Sequence, residues 1–135
     1  MSKITAAITA TGAYLPETIL TNAMLENMVE TNDEWITTRT GIKERRILKT
    51  KGEGTSFLAI KAANDLIQKA NLDPNTIDLV IVATATPDMK AASTASYTAT
   101  KIGANNAFSF DMDSACSGFL FGMSTAASFI ESGRY

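Results

Sequence analysis

Residues 108–119 read Phe-Ser-Phe-Asp-Met-Asp-Ser-Ala-Cys-Ser-Gly-Phe, and this stretch decides how the rest of the chain is interpreted. Its first half alternates apolar and polar side chains, which predicts a β-strand. Its second half begins an apolar pattern of helical period that continues through Phe119, Met123 and Ile130. The stretch therefore predicts a strand that turns sharply into a helix, with Cys116 at the turn.

Cys116 is the only cysteine, and its position allows two interpretations. Small neighbours leave room for a sharp turn and for a substrate carbonyl, and the positive end of a helix favours the thiolate. This is the arrangement of a nucleophile elbow, with Cys in place of Ser. A lone free cysteine is more often a small buried apolar residue. The strand-to-helix position leaves both hypotheses open.

Composition excludes several classes of protein. A chain of 135 residues that is 45% hydrophobic predicts one compact, ordered unit. A net charge of −2 argues against a nucleic-acid surface, and one cysteine without any histidine gives a zinc site nothing to build on. The start of the chain lacks the apolar core of a signal peptide, and no apolar run approaches the ~18 residues of a membrane helix. We therefore expect a soluble, cytoplasmic protein without a metal.

The rest of the chain alternates strands and helices, which predicts an α/β fold. The apolar run over residues 77–83 is typical of a strand buried on both faces, and hence of a parallel sheet covered by helices. The other predicted elements are a strand over Lys3–Ala10, a short helix capped by Thr21 or Asn22, a helix capped by Thr31, an exposed strand within 42–48, and helices over 56–70, 94–102 and 118–132. The apolar stripe of the first helix, formed by Met24, Leu25, Met28 and Val29, is expected in the core.

The helix after Thr31 carries a second candidate site. Thr31 and Glu34 have the spacing of a capping box, and Trp35 and Arg39 are four residues apart, so they share a helix face. Their spacing favours a packing role, with the Arg39 stem beside the indole. The alternative is a flat clamp, in which indole and guanidinium hold a planar base between them.

Three separated segments resemble one known family. Residues 33–42 (Asp-Glu-Trp-Ile-Thr-Thr-Arg-Thr-Gly-Ile), 82–86 (Val-Ala-Thr-Ala-Thr) and 114–119 (Ser-Ala-Cys-Ser-Gly-Phe) resemble the N-terminal part of 3-oxoacyl-acyl carrier protein synthase III. These enzymes are condensing enzymes of the thiolase-like superfamily. The resemblance covers nearly the whole chain, and the first segment is the one specific to this family.

The resemblance implies a fold and an activity. The family fold is a five-layered αβαβα sandwich of two similar halves with mostly parallel sheets, and residues 1–135 would be the N-terminal half. Cys116 would be the nucleophile that takes an acyl group from acyl-coenzyme A, and malonyl-acyl carrier protein would be the second substrate. Thr31, Trp35 and Arg39 match residues that hold the adenine end of coenzyme A. The resemblance implies no tightly bound cofactor, a homodimer, and a His and an Asn supplied by the remainder of the protein.

Two further expectations follow from the resemblance. Relatives usually carry an aromatic residue followed by Pro where this chain has Ala91 and Ala92, which suggests a larger acyl pocket. Without the His and the Asn, we expect this chain alone to be inactive in condensation. The alternatives are another thiolase-like condensing enzyme of secondary metabolism, or a non-enzymatic α/β module with a structural cysteine.

Overall fold

The structure is a computed structural model that describes residues 4–135. These residues divide into two compact units. We call residues 4–14 together with Gly54–Tyr135 the sheet unit, and Leu15–Glu53 the ribbon unit. The ribbon unit has its own pair of strands and its own buried polar centre.

The elements follow the predicted order for most of the chain. They are β1 (Thr18–Thr21), α1 (Asn22–Glu26), α2 (Asp33–Thr40), β2 (Glu44–Ile47), α3 (Thr55–Ala70), β3 (Leu79–Ala83), α4 (Thr94–Ile102), β4 (Phe108–Met112) and α5 (Gly118–Glu131), with 3-10 turns at Pro74–Thr76 and Ala115–Ser117. From β2 onward the predicted elements are confirmed, with boundaries that shift by one or two residues.

The sheet unit has helices on both faces of a parallel strand pair. β3 and β4 pair in parallel, with Leu79 opposite Phe108 and Ala83 opposite Met112. Val80 packs into a core formed by α3, α4 and the loop after α4, whereas Ile81 lies on the side of α5. Successive strand side chains point to opposite faces, so the sheet is covered on both sides. This confirms the predicted α/β class.

The ribbon unit contains the one strand that the sequence analysis missed. β1 pairs antiparallel with β2, from Thr18 opposite Ile47 to Thr21 opposite Glu44. β1 has only four residues, and its partner lies beyond two helices, so no local pattern marks it. Thr21 then caps α1 by accepting a hydrogen bond from the Met24 N–H, as predicted.

The cap of α2 differs from the prediction. The Oδ1 of Asn32 accepts a hydrogen bond from the Trp35 N–H at 2.8 Å, so Asn32 is the N-cap and the predicted Thr31–Glu34 capping box is wrong. Asparagine is among the strongest N-cap residues, and here its amide oxygen reaches the third helical residue. The shift moves Thr31 off the helix and into the loop before it.

Two other predictions about apolar residues are wrong. Within the described part of the predicted Lys3–Ala10 strand, residues 4–10 form no strand, and Ile8 is 72% exposed. A strand needs a neighbouring ladder, and β3 and β4 pair only with each other among the described residues. In α1 and the turn after it, Met24, Met28 and Val29 are exposed and only Leu25 is half-buried, so the stripe is not a core.

Asp65 links the first segment of the sheet unit to α3, and it should make stability depend on pH. Its Oδ2 accepts hydrogen bonds from the Lys69 ammonium at 2.6 Å and from the Ala13 N–H at 2.9 Å. These bonds, that of Lys69 first, lower the pKa of Asp65 below its ordinary value of 3.8. A lowered folded-state pKa means that the stabilisation is complete above about pH 3.8 and is lost as the pH falls through the lowered pKa.

Asp65→Asn should therefore lower the free energy of unfolding near neutral pH, and this deficit should become smaller at about pH 2, because the wild-type carboxyl also becomes neutral as the pH falls through its lowered pKa. Urea unfolding at both pH values measures the difference. Asp113→Asn is the control, because the Asp113 side chain is exposed and forms no hydrogen bond within residues 4–135. An equal deficit for Asp65→Asn at both pH values would contradict the linkage.

Candidate active site

Cys116 lies in a strained turn between β4 and α5. It is the middle residue of the 3-10 turn Ala115–Ser117, two residues before α5 begins. Ala115 has a φ of +43°, which is uncommon for a residue with a Cβ and marks local strain of the kind found at functional sites. The Cys116 side chain is exposed. Within residues 4–135 the Cys116 thiol is therefore not buried, and the strand-turn-helix geometry of an elbow is present.

A glycine allows α5 to begin against the sheet. A Cβ at Gly118 would lie 3.1 Å from the Cβ of Ala83, closer than ordinary side-chain contacts, and Gly118 itself is buried. The elbow is closed on its other side by a hydrogen bond of 3.0 Å from the Ser117 N–H to the Ser114 carbonyl. The glycine at position 118 is thus required by the close approach of helix and strand.

Cys116 lines a groove of about 750 Å³ together with residues of β3 and α5. Its lining is mainly apolar, with Leu79 and Ile81 on the strand side and Phe119 and Met123 on the helix side. The helical stripe identified in the sequence therefore lines this groove instead of filling a closed core. Phe119 is 69% exposed.

The loop after β3 leaves the same edge of the sheet as the elbow, because parallel strands end at the same edge. It is held to the start of α3 by polar contacts. The Thr55 hydroxyl donates to the Thr86 carbonyl at 2.5 Å, and the Ser56 N–H donates to the Asp88 carboxylate at 3.1 Å. Ala91 and Ala92 are exposed farther along this loop.

Asp111 ties β4 to the start of α4. Its two carboxylate oxygens accept hydrogen bonds from the Thr94 N–H and the Ala95 N–H, each at 2.7 Å. The Ser93 hydroxyl accepts from the Ser96 N–H, so the first three helical amides all have acceptors. A negative group is also favourable at this end of a helix. The sequence analysis missed this role, although a carboxylate within a strand beside a covering helix is an unusual placement.

Asp111→Ala should lower the free energy of unfolding by roughly 3 kcal/mol, because two hydrogen bonds to a charged acceptor are lost and two amides lose their partners. Urea unfolding measures it. Asp113→Ala is the matched control, two residues farther along and exposed, and should change the free energy by less than about 0.5 kcal/mol. A loss in Asp111→Ala no larger than in this control would show that the capping contact is not stabilising.

Trp35 and Arg39 are stacked in the ribbon unit. The Arg39 Cζ lies 4.9 Å from the centroid of the Trp35 ring, a cation–π contact, and Trp35 is 54% exposed. A base held between them would need about 7 Å, two van der Waals spacings, so in this arrangement Arg39 already covers one face of the indole. The sequence predicted the pairing, and the structure shows direct contact in place of an open clamp.

Trp35 also borders a groove of about 620 Å³ in the ribbon unit. Thr31 and Arg45 line it together with the apolar side chains of Leu25 and Ile36. The three residues predicted to bind coenzyme A therefore do not all line one groove. Thr31 lies in this groove, Arg39 lines a smaller one of about 330 Å³, and Trp35 borders both. Cys116 belongs to the other unit, the sheet unit.

The sequence analysis did not identify the polar centre of the ribbon unit. Asn22 is 2% exposed and forms hydrogen bonds to side chains from α2 and β2. The only signal in the sequence was that Asn22 follows Thr21, and either residue suffices as a helix cap. Its burial depends on contacts with residues 11 to 23 positions away, which no local pattern reveals.

Residues 4–135 contain neither a cluster of candidate metal ligands nor a candidate membrane-spanning helix. Over residues 4–135, no three or more carboxylate or thiol side chains come together as a metal site would require. Over the same span, no helix is long and apolar enough to cross a membrane.

Comparison with known proteins agrees with the geometry of the elbow. The family model for 3-oxoacyl-[acyl-carrier-protein] synthase III matches residues 110–135, which contain Cys116. A relative from Porphyromonas gingivalis, beta-ketoacyl-[acyl-carrier-protein] synthase III, is 56% identical over all 135 residues of this chain. The chain spans 40% of the length of that relative.

Solved structures give the same result for the fold. The crystal structure of 3-oxoacyl-[acyl-carrier-protein] synthase III from Aquifex aeolicus superposes with a TM-score of 0.86 at 48% identity, over 92% of this chain and 40% of that one. The priming beta-ketosynthase of a polyketide biosynthetic pathway superposes with a TM-score of 0.86 at 35% identity, over 92% of this chain and 37% of that one. These structures confirm the expected thiolase-like fold.

Proposed function

The chain belongs to the 3-oxoacyl-acyl carrier protein synthase III family, and from this membership we propose that its protein is an acyltransferase that begins type II fatty acid synthesis. It would condense an acyl-coenzyme A, acetyl-coenzyme A in the first instance, with malonyl-acyl carrier protein to give 3-oxoacyl-acyl carrier protein. The observation that carries the proposal is the exposed Cys116 thiol in a strained elbow before α5.

The first step would take place at Cys116. Its thiolate attacks the carbonyl carbon of the thioester, a new bond forms between that carbon and the Cys116 sulfur, and coenzyme A leaves as a thiol after taking a proton. The Cys116 N–H would stabilise the negative oxygen of the tetrahedral intermediate. Exposure of the thiol at the sheet edge supports this role, because the nucleophile must reach a bulky donor.

The second step would form the carbon–carbon bond. Malonyl-acyl carrier protein loses carbon dioxide, and the resulting carbanion attacks the acyl carbon. The bond to the Cys116 sulfur then breaks, and the thiolate is regenerated. A His and an Asn would stabilise the decarboxylating group, and this chain contains no histidine. We therefore propose that these two residues come from the remainder of the protein and that the 135-residue chain alone does not condense its substrates.

The ribbon unit would hold the nucleotide end of coenzyme A through Thr31, Trp35 and Arg39. The half-exposed indole offers a flat surface on which a base can stack, an interaction that contributes about 1–3 kcal/mol per base in other nucleotide sites. Because Arg39 covers one face, the base would use the other, unless Arg39 moves. The Arg39 guanidinium is then available for phosphate groups.

The finer expectations about the whole protein belong to this proposal. It would use coenzyme A thioesters as substrates without a tightly bound cofactor, act as a homodimer, and work in the cytoplasm. In residues 4–135, α5 exposes Phe119, Leu120 and Phe121, which supports a covering layer supplied by the other half of the sandwich.

A second candidate function is favoured by one comparison. The priming beta-ketosynthase is similar over nearly the whole chain, so the same chemistry could instead begin a polyketide. The exposed Ala91 and Ala92 agree with a roomier acyl pocket at the sheet edge.

One experiment tests both candidates. The full-length protein is incubated with malonyl-acyl carrier protein and with acetyl-coenzyme A or longer acyl-coenzyme A donors, and 3-oxoacyl-acyl carrier protein is detected by mass spectrometry. Turnover with acetyl-coenzyme A supports the first candidate, and a preference for longer donors supports the second. A strict acetyl preference would contradict the larger pocket, and no product with any donor would overturn the proposed function.

A further inference from the structure

Asn22 is the most completely buried large side chain of the chain's described part. It is the first residue of α1, and only 2% of it is exposed. A buried amide is costly unless its hydrogen-bonding groups find partners. Where those partners lie therefore indicates which parts of the ribbon unit Asn22 holds in place.

The Asn22 amide joins four groups. Its Nδ2 donates to the Asp33 Oδ1 at 2.7 Å and to the Ile42 carbonyl at 2.8 Å, with a longer contact of 3.4 Å to the Thr37 Oγ1. Its Oδ1 accepts from an Nη of Arg45 at 2.9 Å. The bond from Asn22 is the main cause that lowers the pKa of Asp33, so this acceptor stays ionised and the bond is charge-assisted.

The partners of Asn22 are distributed along the length of α2. Asp33 is the first residue of that helix, Thr37 is one turn farther, and Ile42 lies just after the Gly41 cap. Arg45 adds β2 to the same network. Asn22 therefore fixes both the axial position and the rotation of α2, which a contact at one end alone would not do.

Trp35 and Arg39 lie on the opposite side of α2 from Asp33 and Thr37, the two residues of the helix that bond to Asn22. Each helical residue turns the direction of the side chain by about 100°, so Trp35 is about 200° from Asp33, and Arg39 has the same relation to Thr37. Rotating α2 to move the indole would therefore break the bonds to Asn22. The stacked pair is exposed because the other face of the helix is bonded to a buried side chain.

We infer that Asn22 is a positioning residue for the nucleotide end of the coenzyme A donor: it holds α2 in the rotation that presents Trp35 and Arg39. The inference rests on the proposed function for the identity of the ligand. The positioning itself concerns only residues of the ribbon unit and can be measured without ligand.

Asn22→Ser is the first test, because serine is too short to reach both Asp33 and Ile42. Asn27→Ser is the matched control, since Asn27 is exposed and, within residues 4–135, its side chain bonds only to the Ala23 carbonyl of α1. Trp35 is the only tryptophan of the 135-residue chain, so its fluorescence anisotropy and acrylamide quenching report on α2 alone. We expect lower anisotropy and stronger quenching in Asn22→Ser and no change in Asn27→Ser.

Binding of coenzyme A in reducing buffer is measured next, by isothermal titration calorimetry, which does not depend on the Trp35 fluorescence. Asn22→Ser should weaken binding roughly tenfold or more. The alkylation rate of Cys116 by iodoacetamide, in the other unit, should stay within about twofold if only positioning is lost. In the full-length protein, the KM for acyl-coenzyme A should rise while kcat is retained, a pattern that general destabilisation would not produce.

A pair of exchanged residues separates positioning from simple loss of stability. Asn22→Asp places two carboxylates together and should weaken binding at least as much as Asn22→Ser. The double variant Asn22→Asp, Asp33→Asn exchanges the two side chains and so restores a donor–acceptor pair between them. The carboxylate introduced by Asn22→Asp can still accept from Arg45. Part of the affinity for coenzyme A should therefore return. Failure of this rescue, or unchanged anisotropy and affinity in Asn22→Ser, would overturn the inference. If Trp35→Ala leaves coenzyme A binding unchanged, the proposed ligand site fails, and the ligand-free fluorescence still decides the role of Asn22.

Discussion

Replacing Cys116 with alanine should abolish acyl transfer from acyl-coenzyme A. Without the thiol no covalent acyl-enzyme can form, and removing a catalytic nucleophile typically costs at least about a thousandfold in kcat. The intact mass of the full-length protein after incubation with the donor measures it, together with the release of free coenzyme A. The wild type should gain the mass of one acyl group per chain, and Cys116→Ala should gain none.

Ser117→Ala is the control for this experiment, because Ser117 occupies the same 3-10 turn and its hydroxyl forms no hydrogen bond within residues 4–135. It should be acylated at a rate close to that of the wild type. A Cys116→Ala protein that still acquires the acyl group would place the nucleophile elsewhere and refute the proposed role. Reaction of Cys116 with iodoacetamide that is slow and independent of pH would favour a non-enzymatic α/β module.

Replacing Gly12 with alanine should destabilise the sheet unit by about 3 kcal/mol or more. A Cβ at Gly12 would meet the backbone of α3, at 2.5 Å from the Leu66 nitrogen and close to the Ala62 carbonyl. Helix backbone cannot move aside as a flexible side chain can, so the segment that contains Gly12 would have to shift. That shift would also strain the hydrogen bond from the Ala13 N–H to Asp65.

The same substitution elsewhere in the sheet unit should have the opposite effect. In Gly122→Ala the new methyl group would lie 3.8 Å from the Ile81 side chain, an ordinary contact, and alanine favours a helix interior by up to about 1 kcal/mol over glycine. Urea unfolding of both variants measures the contrast. Equal stabilities for Gly12→Ala and the wild type would show that the close approach to α3 is absent in solution.

Elements with local signals at both ends could be predicted from the sequence. The left-handed Asn71 and the following Pro74 end α3, and Gly103 with a φ of +83° ends α4, as their residue types indicate. The elbow was also predictable, because Cys116 lies where a period of two changes to one of 3.6. Such signals depend only on neighbouring residues.

Features that depend on distant contacts could not be predicted. β1 forms because it pairs with β2, which lies more than twenty residues away. The sequence of Thr18–Thr21 contains no signal for this pairing. Asn22 was interpreted only as a possible cap, whereas its amide bonds reach α2 and β2. Thr31 and Asn32 are adjacent and both are suitable N-cap residues. Spacing alone therefore does not determine that Asn32 is the one that caps α2.

The bonds from Asp111 to α4 have a consequence for the position of the Cys116 sulfur relative to the sheet. If β4 slid by one residue against β3, Asp111 would turn to the opposite face and abandon the Thr94 and Ala95 amides. The Asp111 carboxylate therefore favours a single register of β4 against β3. Cys116 follows Asp111 by five residues, in a short, tight turn. The register of β4 therefore determines where Cys116 lies relative to the edge of the sheet.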